Sequence, residues 1–315
     1  MQVIELINKA QKEGRTLFTF ELLPPLKGDG LRGVFDAIDP LAEFAPSYIN
    51  VTFHREDFVG EGAQRRKVRR RPGTVGVSAA IQKRYGIEVV PHLICGGLSR
   101  YDIEDALIDM DFLGINNVLA LRGDCLRGQS HFEPSPDGHA HAEGLVRQIV
   151  DMNNGVFIDG QVGECHHSKF CVGVAGYPEK HSEAVSLDED VANLRRKVDA
   201  GASYVVTQLS YDNAKILSFI ARCRAAGITV PIIPGIKPLS TKAQLDVLPK
   251  IFSVEIPREL VAEAGRCADN DAVRRLGVEW AVAQAQELKR AGVPVLHFYT
   301  MGRTDNMRRI AQQVF

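Results

Sequence analysis

Short apolar runs alternate along the chain with longer stretches in which apolar residues recur at helical spacing. Such runs suit strands that are buried on both faces, as in a parallel sheet covered by helices. They predict eight strands, at residues 17–23, 48–53, 88–95, 118–121, 171–176, 204–209, 230–235 and 293–300. Helical stretches lie at residues 4–14, 35–44, 74–85, 103–113, 142–152, 188–200, 242–252, 257–266 and 272–291. The alternation predicts an α/β fold, a (β/α)8 TIM barrel with an N-terminal extra helix.

A short insertion before strand 5 interrupts this alternation. Residues 155–163 have the turn residues of a short hairpin. The run Cys165, His166, His167 and Cys171 could hold a soft metal, but ligands this close together would need a tight knuckle. Because Cys171 opens the fifth strand, we favour a surface insertion and expect no metal.

A second irregular segment is the basic run from Arg65 to Arg71, which holds six cations around Val68. A charge run of this kind is most often a solvated face. On the binding side of a barrel it could instead steer an anionic cofactor or substrate. The sequence leaves both interpretations open.

Composition and charge are those of an ordinary globular protein. The chain has 315 residues, of which 45% are hydrophobic, and a formal net charge of -1. No linker divides it, so we expect one domain over residues 1–315. A balanced charge implies no general attraction to nucleic acid or to a membrane. Six cysteines and the lack of a signal peptide or spanning run predict a cytoplasmic protein.

Glu21 is a candidate general acid near the end of the first predicted strand. Its neighbours in that strand are phenylalanine and leucine. Burial among apolar side chains disfavours the charged carboxylate and raises its pKa, so the group could hold a proton near neutrality. The alternative is a carboxylate satisfied by a neighbouring arginine or lysine.

Arg122, Gly123 and Asp124 follow the fourth strand directly. In α/β folds ligands bind at the carboxyl ends of the strands, so a charged pair around a glycine is a site candidate there. The alternative is a turn at Gly123 followed by a helix cap at Asp124. Other strand ends also carry polar or aromatic residues, which should converge on one mouth: Glu21, Thr52, His92, Asp124, Tyr177, Gln208 and Thr300.

One helix face is a further candidate. Asp190, Asn193 and Lys197 share it through their spacing, with Arg196 beside them. Salt bridging on the surface is the alternative interpretation. The chain has no Gly-x-Gly-x-x-Gly after its first strand and no Gly-Lys-Ser/Thr loop, so any dinucleotide must be held by the barrel mouth.

Seven motifs follow one another in order along the whole chain. They are Phe18-Thr19-Phe20-Glu21-Leu22-Leu23-Pro24-Pro25, Pro91-His92-Leu93-Ile94-Cys95, Ala120-Leu121-Arg122-Gly123-Asp124, Tyr177-Pro178-Glu179-Lys180-His181, Lys197-Val198-Asp199-Ala200-Gly201-Ala202, Thr207-Gln208 and His297-Phe298-Tyr299-Thr300. A chain that carries these motifs in this order closely resembles bacterial methylenetetrahydrofolate reductase. The resemblance leaves no residues for the C-terminal regulatory domain of eukaryotic relatives.

The resemblance implies a barrel that holds FAD. NADH or NADPH would reduce the flavin and leave, and the reduced flavin would convert 5,10-methylenetetrahydrofolate to 5-methyltetrahydrofolate, in a ping-pong cycle serving methionine biosynthesis. Glu21 matches the family's general acid, in agreement with the raised pKa expected above. Asp124 matches a carboxylate beside the flavin and the pterin. Gln208 and Arg303 match residues that contact the substrates.

The resemblance also implies the residues that hold FAD. They are Thr52, His92, Arg122, Gly123, Asp124, His141, Ala142, Tyr177, His181, Asp190, Asn193, Arg196 and Lys197. By this resemblance the helix face with Asp190, Asn193 and Lys197 contacts the ribose and phosphates of FAD and is not a salt-bridged surface. Arginine and lysine supply charged donors there. His141 stands where many relatives have tyrosine.

Two other functions fit a barrel of this kind. One is another barrel flavoenzyme, such as a relative of proline dehydrogenase. The other is a flavin-bearing subunit whose basic run docks an electron-carrier partner. The pairing of Glu21 with Asp124 favours the reductase, and we expect a homo-oligomer whose preference between NADH and NADPH the sequence leaves open.

Overall fold

The computed structural model describes residues 1–60, 66–125, 131–161, 167–300 and 304–315. The strands in these residues are β1 Leu17–Leu22, β2 Tyr48–Val51, β3 Asp57–Val59, β4 Arg66–Val68, β5 Glu88–Ile94, β6 Asn117–Leu121, β7 Val156–Phe157, β8 Gly160–Gln161, β9 Cys171–Gly176, β10 Tyr204–Leu209, β11 Ile232–Ile236 and β12 Val295–Tyr299. The helices are α1 Val3–Lys12, α2 Arg32–Ala42, α3 Thr74–Tyr85, α4 Arg100–Phe112, α5 Ala142–Asn153, α6 Leu187–Asp199, α7 Asn213–Ala225, α8 Gln244–Phe252, α9 Arg258–Arg266, α10 Asn270–Arg290 and α11 Asp305–Val314.

Eight of the strands form a closed parallel barrel. Their order around it is β1-β2-β5-β6-β9-β10-β11-β12. β12 closes the ring by pairing with β1, with Leu17 opposite Val295 and Glu21 opposite Tyr299. The predicted (β/α)8 TIM barrel is therefore confirmed.

Helix α1 covers the amino-terminal end of the barrel. Its buried residues Val3, Ile7 and Ala10 pack with inward-facing side chains such as Leu17. The backbone N–H of Val3 donates to Oδ1 of the buried Asn117, 2.8 Å away, at the start of β6. This satisfies an amide that the first turn of a helix would otherwise leave unpaired. The predicted extra helix is confirmed, and it leaves the opposite end of the barrel for the site.

The insertion before β9 contains the predicted hairpin, formed by β7 and β8. Cys171 opens β9 and is buried in the inner core beside α1. His167 is exposed, whereas Cys165 and His166 lie outside the described residues. The metal interpretation of this run therefore stays untested.

The basic run contains a hairpin that the sequence analysis did not predict. Strand β4 pairs antiparallel with β3, and its cations meet acids that precede or open β3. Lys67 Nζ lies 3.0 Å from Glu56 Oε2, and Arg70 Nε lies 3.2 Å from Asp57 Oδ2. The described part of the run is thus partly neutralised by ion pairs on an exposed hairpin, while Arg65 lies outside the described residues.

Two helices, α7 and α11, were also not predicted. The signal for α7 was present, because its buried residues Ile216, Phe219 and Cys223 follow the helical period. In the described part of the chain no helix is both long and apolar enough to cross a bilayer.

Candidate active site at the barrel mouth

Side chains along β1 point alternately into and out of the barrel, and this alternation places the carboxyl group of Glu21 at the mouth. Successive side chains of a strand point to opposite faces, so Leu17, Thr19 and Glu21 face inward in turn. Leu17 belongs to the apolar inner core, and Thr19 is fully buried above it. Glu21 lies next, at the carboxyl-terminal end of the barrel, where ligands of this fold bind.

Below Glu21 lies a layer of neutral polar groups. Thr19 Oγ1 and His297 Nδ1 are 3.0 Å apart, and Asn50 Nδ2 and His92 Nε2 are 3.2 Å apart. Burial lowers the pKa of each of these two histidines to about 3, so both imidazoles are uncharged near neutrality. His92 lies inside β5, two residues before the end of the strand. The sequence analysis had expected it at a strand exit.

The Glu21 carboxyl lies in the environment that the sequence predicted. Its strand neighbours are Asn50 on β2 and Tyr299 on β12. Burial raises its pKa to about 7. In the ranges that the structure describes, no arginine or lysine pairs with this carboxyl, while Thr300 Oγ1 donates to the backbone oxygen of Glu21 at 2.7 Å. Glu21 can therefore hold and release a proton near neutral pH.

Arg122 and Gly123 form a turn at the exit of β6. Arg122 donates two hydrogen bonds to the Glu183 carboxylate, one of them 2.8 Å long. Its guanidinium carbon lies 4.8 Å from the centroid of the Phe132 ring. Gly123 has a φ of 85°, a left-handed conformation that glycine adopts without strain. Asp124 follows in an exposed position.

Arg55 lies against this turn, and the sequence analysis did not select it. Its side chain occupies the space over Gly96, where a Cβ atom would lie 1.4 Å from Arg55 Nη2. That nitrogen is buried and has no hydrogen-bond partner in the described ranges. Asp124 attracts the guanidinium and opposes the fall in pKa that burial causes. A buried donor without a partner is costly, so this nitrogen is suited to an acceptor on a ligand.

A second part of the mouth joins β9 to α6. The rings of Tyr177 and His181 meet edge to face, with centroids 4.8 Å apart. The backbone N–H of His181 donates to Asp190 Oδ2 at 2.9 Å, and Asp190 is buried. Lys197 Nζ donates to the carbonyl oxygen of Ala175 at 2.5 Å. Burial lowers the pKa of Lys197 to about 8, against the attraction of Asp190.

The charged helix face predicted from the sequence is present on α6. Arg196 donates to Asn193 and also approaches Glu143 Oε2 at 3.5 Å. Glu143 lies in the first turn of α5, beside Ala142 and the N-cap residue His141. The face therefore combines the solvent-exposed Arg196 with the buried Asp190 and the partly buried Lys197. An ordinary surface salt-bridge array would not contain a buried aspartate.

The remaining predicted residues occupy strand exits or lie outside the description. Thr52 Oγ1 donates to the carbonyl oxygen of Leu22 at 3.3 Å, which places it beside the end of β1. Gln208 lies at the end of β10, where its Oε1 accepts from the backbone N–H of Leu209. Arg303 lies outside the described residues.

Lys237 is a further residue that the sequence analysis missed. It comes one residue after β11, on the inward alternation of Ile233 and Gly235, and only 4% of it is exposed. Its Nζ lies 3.4 Å from the carbonyl oxygen of Pro238, and burial lowers its pKa to about 8. The mouth therefore carries a buried cation between β10 and β12.

A closed parallel barrel with an acid, amides and buried cations at its carboxyl end defines a (β/α)8-barrel enzyme. The sequence model of one family, described as methylenetetrahydrofolate reductase, matches residues 6–314. The chain therefore belongs to the methylenetetrahydrofolate reductase family.

Relatives in this family include plant and bacterial proteins. A rice protein named probable methylenetetrahydrofolate reductase (NADH) is 33% identical over 311 residues, 96% of this chain and 48% of its own length. The 5,10-methylenetetrahydrofolate reductase of Salmonella typhimurium is 33% identical over 301 residues, 94% of this chain and 90% of its own length. The Escherichia coli enzyme of the same name is 31% identical over 297 residues. The chain thus spans about half the length of the plant relatives.

A similar solved structure supports the fold alone. It is a Clostridium thermocellum protein whose description states that it binds two copies of 5-methyl-5,6,7,8-tetrahydrofolic acid. The two chains cover 98% of each other with a TM-score of 0.57 and 13% sequence identity.

Proposed function

We propose that the chain, as one catalytic domain over residues 1–315, reduces 5,10-methylenetetrahydrofolate to 5-methyltetrahydrofolate with FAD as cofactor and NADH or NADPH as donor. The observation that carries this proposal is the protonatable Glu21 at the mouth of a barrel that belongs to the reductase family. Its pKa of about 7 suits a group that must be protonated in one step and ionised in another.

The residues of the mouth fit FAD. Arg55 offers a buried nitrogen without a partner in the described ranges, which suits an acceptor atom of the cofactor. The residues that would hold the cofactor are Thr52, His92, Arg122, Gly123, Asp124, His141, Ala142, Tyr177, His181, Asp190, Asn193, Arg196 and Lys197. Of these, Arg196 and Lys197 supply charged donors suited to phosphate oxygens. When bound, FAD accepts a hydride from NAD(P)H and passes it to the folate.

Glu21 would act as the general acid on the folate. Its proton goes to the nitrogen that bridges the methylene carbon to the aromatic ring, so that the five-membered ring opens to an iminium. The hydride then reduces the iminium carbon to a methyl group. Because burial makes the carboxylate costly, Glu21 gives up its proton less readily than an exposed glutamate until a substrate nitrogen is present.

Asp124 and two further residues would complete the substrate contacts. The exposed carboxylate of Asp124 would stabilise the positive charge of the iminium. Gln208 offers both a donor and an acceptor at the end of β10 for the edge of a heterocycle. Arg303, which follows β12 in the sequence, would contact the folate. In a ping-pong cycle the donor leaves before the folate binds at the same mouth.

The test separates the two half-reactions by flavin absorbance in stopped flow. NADH or NADPH should bleach the loaded wild-type protein, and methylenetetrahydrofolate should restore the oxidised spectrum. Glu21→Gln should keep the first step within about threefold and slow the second by at least 10²-fold, the usual contribution of a general acid. Equal losses in both steps would refute the role of Glu21. A protein that proline reduces, or that no pyridine nucleotide reduces, would refute the reductase itself.

A further inference from the structure

A charged cluster lies beside the mouth, between the loop after β9 and the first turn of α7. At its centre is the carboxylate of Glu179, whose side chain is only 8% exposed. Lys215 Nζ on α7 lies 2.7 Å from Glu179 Oε2 and 2.7 Å from Glu255 Oε2. The backbone N–H of Glu255 also donates to Glu179 Oε2, at 2.9 Å. Three segments of the chain therefore meet at one largely buried carboxylate.

The other oxygen of Glu179 contacts the end of β10. Ser210 is the first residue after this strand and is 1% exposed. Its hydroxyl donates to Glu179 Oε1 at 2.7 Å. Because Lys215 forms an ion pair with the same carboxylate, this hydrogen bond is charge-assisted, and such bonds are stronger than those between neutral groups. Glu179 thus holds the chain where it leaves β10.

Gln208 lies two residues before Ser210, at an irregular step of the barrel. The pairing of β10 with β11 shifts its register between Val206 and Leu209. Such a bulge adds one residue to a strand and changes the direction of a side chain. In this step Gln208 Oε1 accepts from the backbone N–H of Leu209, and its Nε2 donates to no residue that the structure describes. The position of the Gln208 amide therefore depends on how the residues after it are held.

Two contacts hold those residues. Gln284 Nε2 on α10 donates to the backbone oxygen of Ser210 at 3.2 Å. Glu179 holds the Ser210 hydroxyl from the loop after β9, the segment that also carries Tyr177 and His181. In the proposed function Tyr177 and His181 contact FAD, whereas Gln208 contacts the substrate. Glu179 therefore connects the cofactor side of the mouth with the substrate side.

We infer that Glu179 is a positioning residue that holds Gln208, through Ser210, in place for the folate. The inference rests on the proposed function, because it takes Gln208 as a contact of the folate. Glu179 itself touches no substrate in this role. Loss of its hydrogen bond with Ser210 releases the backbone that follows Gln208, so folate binding weakens while the cofactor is held as before.

The test is a double-mutant cycle between Ser210 and Gln208 in the FAD-loaded protein. Ser210→Ala should raise the KM for methylenetetrahydrofolate and the Kd of 5-methyltetrahydrofolate by about 3- to 10-fold, the range of one net hydrogen bond. The Kd of FAD should stay unchanged. Gln208→Ala should raise both folate constants, and Ser210→Ala added to it should change them by less than about twofold. Ser218→Ala, an exposed serine on α7, is the matched control and should change none of these constants.

Lys215→Gln tests the same link from a partly exposed position, where the fold should tolerate the change. It removes the ion pair that holds Glu179. The KM for the folate should rise by about 2- to 5-fold, the range of a partly exposed ion pair. This effect should also disappear when Gln208 is already alanine. Circular dichroism and the thermal midpoint verify that the variants are folded.

The outcomes distinguish this inference from the proposed function. Unchanged folate constants in Ser210→Ala or in Gln208→Ala would overturn the inference while the reductase stands. So would effects of the two substitutions that add fully, because Ser210 would then act independently of Gln208. A weaker affinity for FAD in Ser210→Ala would assign the cluster to the cofactor and would also overturn the inference. A wild-type protein that neither binds nor reduces the folate would refute the proposed function, and the inference with it.

Discussion

Tyr299 crosses β11 and donates a hydrogen bond from its hydroxyl to the carbonyl oxygen of Thr207 on β10, 2.7 Å away. The crossing needs a glycine beneath the ring. A Cβ atom at Gly235 would lie 2.4 Å from the ring carbon Cε2 of Tyr299 and 2.5 Å from the Thr207 oxygen. The aromatic ring beside Glu21 is therefore placed by a glycine on the neighbouring strand.

Gly235→Ala should destabilise the protein by about 1–3 kcal/mol, because the added methyl group must displace either the ring or the strand backbone. The free energy of unfolding in urea measures this cost. Gly265→Ala is the matched control, since nothing lies within 4 Å of its Cβ position in α9, and alanine there should be neutral or stabilising by about 0.5–1 kcal/mol. Equal changes in the free energy of unfolding for the two variants would contradict the close contact between Gly235 and the Tyr299 ring.

Glu21→Gln should remove a pH dependence of stability. The folded pKa of about 7 exceeds the ordinary glutamate pKa of 4.5, so the native protein binds more protons than the unfolded chain between these values. Wild-type stability should therefore fall as the pH rises from about 4.5 to about 7. The variant should match the wild type near pH 5 and be about 1–3 kcal/mol more stable at pH 8. Urea midpoints at both values test this, with the exposed Glu263→Gln as control.

His297→Gln should make the protein less sensitive to acid. Burial depresses the pKa of His297 to about 3 from the ordinary histidine pKa of 6.5, so the unfolded chain binds more protons between these values. Stability from this group is present above about pH 6.5 and is lost as the pH falls. Between pH 7 and pH 4.5 the wild type should lose about 1–3 kcal/mol more than the variant. His167→Gln, at an exposed position, should leave the acid limb unchanged.

Lys237→Met should stabilise the protein at pH 7. The folded pKa of about 8 lies below the ordinary lysine pKa of 10.5, so the buried ammonium destabilises the folded protein below about pH 8. This cost disappears as the pH rises toward 10.5. An apolar side chain of similar length removes the desolvation, for a gain of about 1–3 kcal/mol. Urea unfolding at pH 7 and pH 10 should show the gain shrinking with pH. No such gain is expected for the exposed Lys250→Met.

The sequence was sufficient for the barrel and for the position of Glu21. Apolar runs mark strands that are covered on both faces, and a carboxylate near the end of one such run must face either a core or a mouth. The strand count and the raised pKa followed from these local facts. The predicted strand over residues 88–95 already contained His92, but the apolar run does not show that its ring lies in the inner layer below the mouth, beside Asn50.

Arg55 and Lys237 could not be selected from the sequence for a different reason. Each is a cation in a polar or loop segment, where exposure is the ordinary outcome. The guanidinium end of Arg55 is buried where Gly96 and Gly123, in the segments that follow β5 and β6, leave space for it. Contacts of this kind depend on the closed barrel and have no local signature. The α6 face became interpretable as a site only when Asp190 proved to be buried and Lys197 proved to donate to the backbone of β9.

The position of α1 bears on the order in which the reactants of the proposed function would reach Glu21. Because this helix seals the amino-terminal end of the barrel, any molecule that reaches Glu21 must arrive and depart through the carboxyl-terminal opening. Two large reactants that share one entrance exclude each other from it. Under the proposed function the two reactants would therefore occupy the mouth one after the other, as a ping-pong cycle requires. Each should then act as a competitive inhibitor of the half-reaction that belongs to the other.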